Sequence, residues 1–447
     1  MCWRPAYIIL ILISTLIDYY CGLGMGRTSN KKKRKLFLIT SLCSNLGLLF
    51  IFKYLNFFGW TVKYFLGYTQ AQCAAPILDI LLPVGISFYT FQTLSYTIDV
   101  YRRDRKPEKR LGIFALYVSF FPQLVAGPIE RSTRLIPQFD NHVKFDYDRV
   151  ASGLKLMLWG MFKKVVIADN LAQFVDPVYS NASDYTGPSF VIATVFFAFQ
   201  IYCDFSGYTD IAIGSARVLG FDLMKNFDRP YAAGSVTEFW RRWHISLSTW
   251  FRDYLYIPLG GNRVSPSRNY INLFIVFVLC GFWHGANWTF VIWGVLHGLY
   301  LMTEKFTANF RASIVKKLSL DKMQPLLKFT RVLITFVLVC FAWIFFRAQN
   351  LSDAWFIVTH LFNGWSSVFN GHNLQPVLIL GSYKFFATAL ILIGVLEMVH
   401  LLQSKGSVIK KLNTKPIWLR WSVYYILIIS IMLLGNFNSQ EFIYFQF

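Results

Sequence analysis

Apolar runs of near-membrane length recur along the chain and are separated by short polar segments, the pattern of helices that cross a bilayer. Runs over 6–23, 36–58 and 77–100 predict three spanning helices. The stretch 111–126 is too short to cross and is broken by Pro122 and Gly127-Pro128, so it reads as a re-entrant element shielded by protein. Residues 131–149 carry mixed charge and read as a surface amphipathic stretch. The run 152–168 is interrupted by Lys163-Lys164, which predicts an interfacial position. A further run, 189–203, leads into the polar string DFSGYTD, and from Asp222 to Arg268 no window is apolar enough to span. Apolar runs resume at 270–283, 286–302, 332–346, 385–403 and 421–435, with a weakly charged loop expected over 347–384. No internal repeat or low-complexity linker divides the chain, so one all-α, polytopic membrane domain over 1–447 is expected.

Charge sets the orientation. The string RTSNKKKRK after the first run is basic without an acid, and YRRDRKPEKR, 303–331 and 404–420 repeat that bias, which places all four in the cytoplasm. The net charge of +21 is therefore a topological signal that also suits anionic lipid and cytoplasmic phosphates, and nucleic acid is not an expected partner. The first run ends in Asp18-Tyr19 and a basic loop, not in a small-residue cleavage site, so it is expected to remain as a helix. Composition agrees: 55% of the 447 residues are hydrophobic, 18% aromatic and only 15% charged. Seven scattered cysteines form no C-x-x-C pair and no set with metal-ligand spacing, which argues against zinc and against a disulfide framework.

Chemistry concentrates in three strings. In GFWHGANWTFVIWGVLHGLYL, His284 stands in an apolar segment between Gly281 and Gly285, and His297 between Gly294 and Gly298. Small residues four apart let helix backbones approach. An imidazole, with an ordinary pKa near 6.5, can take a proton from a hydroxyl, as acyl transfer from a thioester to an alcohol requires. An interhelical hydrogen-bonding role is the alternative for either histidine. If one unbroken helix carried both, they would lie about 20 Å apart on different faces, and the glycines favour His284 as the reactive one. In SVTEFWRRWHISLSTWFRDYLYIPLGGNR, Ser235 and Glu238 form a capping box that starts a helix ending near Pro258. On that helix His244, Ser248 and Arg252 would share a face and Glu238 would pair with Arg242. Arg241, Arg242 and Arg252 are candidates to hold a donor's phosphates, or to meet lipid headgroups as an interfacial helix. In YCDFSGYTDIAIGSARVLGF, Asp204, Tyr208 and Asp210 could pair with a cation or line a polar cavity, and the string could also mark a helix break at Gly207 capped by Ser206 or Asp204, two readings that are compatible. A fourth string, FFPQLVAGPIERSTRLIPQF, offers a structural pair between Glu130 and Arg134.

These passages, together with PVGISFYTFQTLSYTIDVYR and the closing FIYFQF, resemble the membrane-bound O-acyltransferase family, most closely its alginate O-acetyltransferase branch. The resemblance covers most of 83–302 plus the terminus. It implies a ring of spanning helices around a thinner centre where funnels from both sides meet a tunnel. It places the catalytic histidine at His284, in its W-H-G context, and a second characteristic histidine at His244, in R-R-W-H. His297 matches a further histidine of the alginate-type pattern. The branch carries an apolar helix and a tryptophan-rich stretch ahead of the segment equivalent to 6–23, and this sequence starts instead at Met1-Cys2-Trp3. The implied activity is O-acetylation of a cell-envelope polysaccharide, peptidoglycan or alginate-like, from the bacterial inner membrane. No permanently bound cofactor is expected; acetyl-coenzyme A is the expected donor. A periplasmic esterase-like protein and the polysaccharide are the expected partners. D-alanyl transfer to teichoic acid and a non-catalytic lipid or polysaccharide transporter are the alternatives.

Overall fold

The computed structural model describes residues 7–67, 83, 85–124, 127–370, 374–437 and 442. Cys2, Cys73, the start of the 77–100 run and all of FIYFQF except Phe442 lie outside them. Among the described residues every regular element is helical. Six helices among the described residues are long and apolar enough to cross a bilayer: Ile8–Arg27, Lys31–Phe65, Gly187–Leu219, Gln324–Arg347, Tyr383–Ser404 and Ile417–Leu434. The protein is an all-helical, multi-pass membrane protein.

The first three predicted runs form one unit whose basic ends meet. Asn30 caps the second helix by accepting from the amides of Lys32 and Lys33, so the basic string becomes that helix's first turns. Arg34 reaches back to the carbonyls of Met25, Val100 (2.9 Å) and Tyr101 (2.8 Å). One buried guanidinium thereby satisfies the C-terminal carbonyls of Ile8–Arg27 and Ile86–Arg102, where cations are favoured by the helix dipole. This places the two basic loops on one side, as their charge predicts. Deeper in the same unit, Asp18 accepts from Ser41 Oγ (2.6 Å) and from Asn45 Nδ2 (2.9 Å to each carboxylate oxygen), so these helices are pinned by polar bonds inside the apolar layer.

The re-entrant expectation fits the segment after this unit. Leu111–Ser119 has only 9 residues, the chain turns at Phe120, and a four-residue helix, Phe121–Leu124, comes next. At about 14 Å the first piece covers half a bilayer core. Glu130 does not pair with Arg134. Helix resumes only at Ser132, and Glu130 accepts instead from the amide of Met224 while Arg134 pairs with Asp222 at 2.6 Å.

One packing arrangement overturns the interfacial placement of Lys163-Lys164 and decides against the helix break at Gly207. The string DFSGYTD does not break its helix: Gly187–Leu219 runs continuously for 33 residues. Gly207 serves close approach, since a Cβ there would lie 2.8 Å from the carbonyl oxygen of Gly160. The partner helix carries Lys163 and Lys164 on a π-helical segment, Phe162–Ala168, and both lysines are buried, not interfacial. Opposite charges on the long helix explain it. Lys163 Nζ lies 2.8 Å from Asp210, and Lys164 Nζ lies 2.8 Å from both Asp204 and Asp169. Burial of these charges is tolerated only because each is paired. Residues 347–384 also hold more structure than a loop, including the helix Leu351–His360, whose following turn accepts the Gly187 amide through Asn363 O at 2.9 Å.

Candidate functional site

The apolar runs at 270–283 and 286–302 become an antiparallel helical hairpin, Pro266–His284 and Trp288–Phe306. Its turn, Gly285 to Asn287, is extended, and Asn287 caps the second helix by accepting from the Thr289 amide at 3.0 Å. The predicted glycines set the crossing point. A Cβ on Gly281 would lie 2.2 Å from Phe290 O and 3.0 Å from Gly294 Cα, so only hydrogen fits between the two backbones. The unbroken helix that would hold His284 and His297 about 20 Å apart does not exist. Instead, the ring of Trp293 contacts both, with centroids 5.0 Å from His284 and 4.8 Å from His297.

His284 is the last residue of its helix and is 3% exposed. Trp283 (4.9 Å), Trp293 and Phe346 (5.2 Å) wall its ring. The backbone that positions it is held by a residue that local sequence pattern does not single out. Lys53 Nζ donates to the carbonyls of Trp283 and His284, each at 2.8 Å, and Tyr54 Oη donates to Phe282 O at 3.0 Å. Both donors sit on a π-helical segment, Phe50–Tyr54, within the second spanning helix. A helix C-terminus buried in apolar surroundings needs such donors for its last carbonyls. The one signal for it in the sequence is a lysine inside the apolar run 36–58.

His244 does not share a helical face with Ser248 and Arg252. The helix breaks there into Val236–Arg242 and Ile245–Phe251, and His244 occupies the junction at φ 42°, a left-handed conformation unusual for a non-glycine residue. Asn226 secures the bend: its backbone carbonyl accepts from the Ile245 amide (2.9 Å), and its Oδ1 accepts from the Ser246 amide (3.2 Å) and Oγ (2.9 Å). The same Oδ1 lies 3.2 Å from His244 Nδ1. A carbonyl oxygen only accepts, so Nδ1 carries the proton and Nε2 the lone pair. Trp283 bridges to the hairpin, its ring 6.3 Å from His244 and 4.9 Å from His284. The structure therefore gathers His244, His284 and His297 around two tryptophans.

The remaining candidates fall elsewhere. Ser235 caps Val236–Arg242 by accepting from the Glu238 amide, Glu238 accepts from the Gly234 amide, and Glu238 pairs with Arg242 as expected. Arg241 is exposed, and Arg252 pairs with its neighbour Asp253 at 2.7 Å. Asp204 and Asp210 are engaged by the two buried lysines, and Tyr208 packs on Phe442 at 4.3 Å, with Lys164 Nζ 5.6 Å from its ring centre. Among the described residues no cluster of His, Cys, Asp and Glu could hold a metal ion.

Comparison with known proteins agrees with this architecture. The sequence model of the membrane-bound O-acyltransferase family matches residues 6–347. The chain is 42% identical over 362 residues to the probable alginate O-acetylase of Pseudomonas aeruginosa, covering 81% of this chain and 67% of that protein. It is 37% identical over 382 residues to the peptidoglycan O-acetyltransferase of Helicobacter pylori, covering 79% and 69%. Similarity to the teichoic acid D-alanyltransferase of Streptococcus thermophilus is lower, 29% over 291 residues, covering 61% and 70%. With a family match that runs over 6–347 and a helical hairpin that presents a buried histidine, the chain belongs to the membrane-bound O-acyltransferase family.

Proposed function

We propose that this protein takes an acetyl group from acetyl-coenzyme A on the cytoplasmic side of the bacterial inner membrane and passes it outward for O-acetylation of a cell-envelope polysaccharide. The observation that carries this reading is the similarity to acetylases of alginate and peptidoglycan, stronger than to the D-alanyl enzymes, in a chain that holds an imidazole at a break between two apolar helices. His284 is the proton acceptor. The attacking hydroxyl gives it a proton as its oxygen adds to the thioester carbonyl; the thiolate then leaves and takes that proton back. His244, with its Nε2 lone pair fixed by Asn226, orients a hydroxyl or a thiol nearby. Burial strengthens each of these electrostatic contacts relative to water.

Arg241, and Arg252 through the exposed part of a guanidinium whose Nε pairs with Asp253, offer cationic groups to the donor's phosphates, whereas the less exposed Arg242 is paired with Glu238. Asp204, Tyr208 and Asp210 act as scaffold through their lysine and aromatic contacts. The acetyl group reaches a sugar hydroxyl directly or through a periplasmic esterase-like partner. The test is donor choice, then product location. Binding of coenzyme A is compared with that of a pantetheinylated carrier bearing D-alanine, and labelled acetyl groups are then traced into wall and exopolysaccharide fractions. Binding of coenzyme A and label as O-acetyl ester is the expected result. Exclusive use of the carrier, or transport of polysaccharide without ester formation, would overturn the reading.

A further inference from the structure

The hairpin concentrates buried hydrogen-bond donors in a way that general-base chemistry does not use. Trp240 Nε1 donates to His297 Nδ1 at 3.2 Å, and His297 is fully buried. An indole N–H only donates, so Nδ1 carries the lone pair and the neutral imidazole must hold its proton on Nε2. His297 is thus the opposite tautomer from His244. Among the described residues, neither His297 Nε2 nor the indole nitrogen of Trp293 has a hydrogen-bond partner. Both residues are fully buried, and Trp293 touches His284 and His297. Buried donors without acceptors are rare in folded proteins, and each costs about 1–3 kcal/mol. A set made of N–H groups, beside the proposed base, matches an occupant that presents only an acceptor there: a carbonyl oxygen.

We propose that His297 Nε2–H and Trp293 Nε1–H receive the carbonyl oxygen of the acyl thioester, with Trp240 as the positioning residue that fixes the His297 tautomer. This rests on the acetyltransferase reading above and divides the labour within it. As the hydroxyl oxygen bonds to the acyl carbon, its proton passes to His284 and the carbonyl π electrons move onto the oxygen held by the two N–H donors. When that oxygen re-forms its double bond, the C–S bond breaks and the thiolate takes the proton from His284, giving ester and free thiol. His297 neither gains nor loses a proton.

The test compares His297→Gln, whose amide nitrogen replaces Nε2–H, with His297→Leu, which has no donor. Two readouts are taken on the full-length protein: acetyl transfer, and the ratio of affinities for acetyl-coenzyme A and its S-ethyl analogue, which lacks the carbonyl. The leucine variant is expected to lose roughly 10²–10³-fold in kcat, the scale of one lost oxyanion donor, and to lose its preference for the carbonyl-bearing ligand. The glutamine variant is expected to keep that preference and most of the rate. Trp240→Phe, which spares the His297 side chain, should lower kcat by about 2–10-fold, the worth of one net hydrogen bond. Unchanged ligand preference in the leucine variant would overturn the proposal, as would equal failure of glutamine and leucine, since a base cannot be replaced by an amide. Wild-type protein that transfers no acetyl group would overturn the acetyltransferase reading and this proposal with it.

Discussion

Replacing Lys53 with leucine tests whether the backbone at His284 is held from a neighbouring helix. In the structure one amine serves two carbonyls at the end of Pro266–His284, each at 2.8 Å. Losing it leaves two acceptors in apolar surroundings, at about 1–3 kcal/mol each. The least costly relief is to unwind the last turn toward other donors, which would move the His284 ring. A displacement near 1 Å at a reacting group is enough for a loss of roughly 10²-fold in rate. We therefore expect Lys53→Leu to lower kcat about 10²-fold while KM for acetyl-coenzyme A changes little, because the arginines assigned to the donor are untouched. Lys53→Arg, which keeps the donors, should retain a substantial part of the rate. Combined with His284→Ala, the leucine change should add no further loss, the non-additivity expected of residues acting through one group. Purified protein in detergent, assayed with labelled acetyl-coenzyme A, gives all of these values. A Lys53→Leu enzyme with near-normal kcat would refute the positioning role.

Packing has consequences of its own. Gly281→Ala places a methyl group 2.2 Å from Phe290 O and 3.0 Å from Gly294 Cα, so the hairpin must splay; a loss of about 1–3 kcal/mol should show as a lower melting temperature in detergent. Lys164→Met removes the ammonium that pairs with both Asp204 and Asp169, a buried-charge defect of roughly 3–5 kcal/mol, and should sharply reduce the yield of monodisperse protein. Adding Asp204→Asn and Asp169→Asn to it should restore that yield and retain acetyl transfer, which distinguishes a scaffold from a catalytic carboxylate. Asn226→Leu removes the acceptor that fixes His244 Nδ1–H and the Ser246 contacts at the bend, and should cost kcat about 10-fold or more through a displaced imidazole.

Much of this was legible in the sequence because membrane helices satisfy their own backbone and must be apolar. Apolar runs, basic loops, the re-entrant break and the Gly281 and Gly294 crossing were all recoverable from local pattern. What escaped were features that depend on a partner distant in sequence. Lys163-Lys164 reads as interfacial until Asp204 and Asp210, far along the chain, are known to face it. Gly207 suggests a break until the Gly160 backbone is found against it. The kink at His244 has no proline or glycine to announce it, since the left-handed residue is stabilised by Asn226 from outside the helix. Lys53 looks like an interruption in a spanning run, and its purpose emerges only when the end of another helix is placed beside it.

The imidazole of residue 284 is central to the proposed chemistry as the group that accepts the hydroxyl proton during acetyl transfer. The most direct measurement is the O-acetyl ester content of polysaccharide from cells carrying His284→Gln as the sole copy, with equal amounts of folded protein verified in the membrane. Ester at the level of a deletion strain is the predicted result. Ester at the wild-type level would contradict it, because an amide in that place cannot take up a proton at neutral pH.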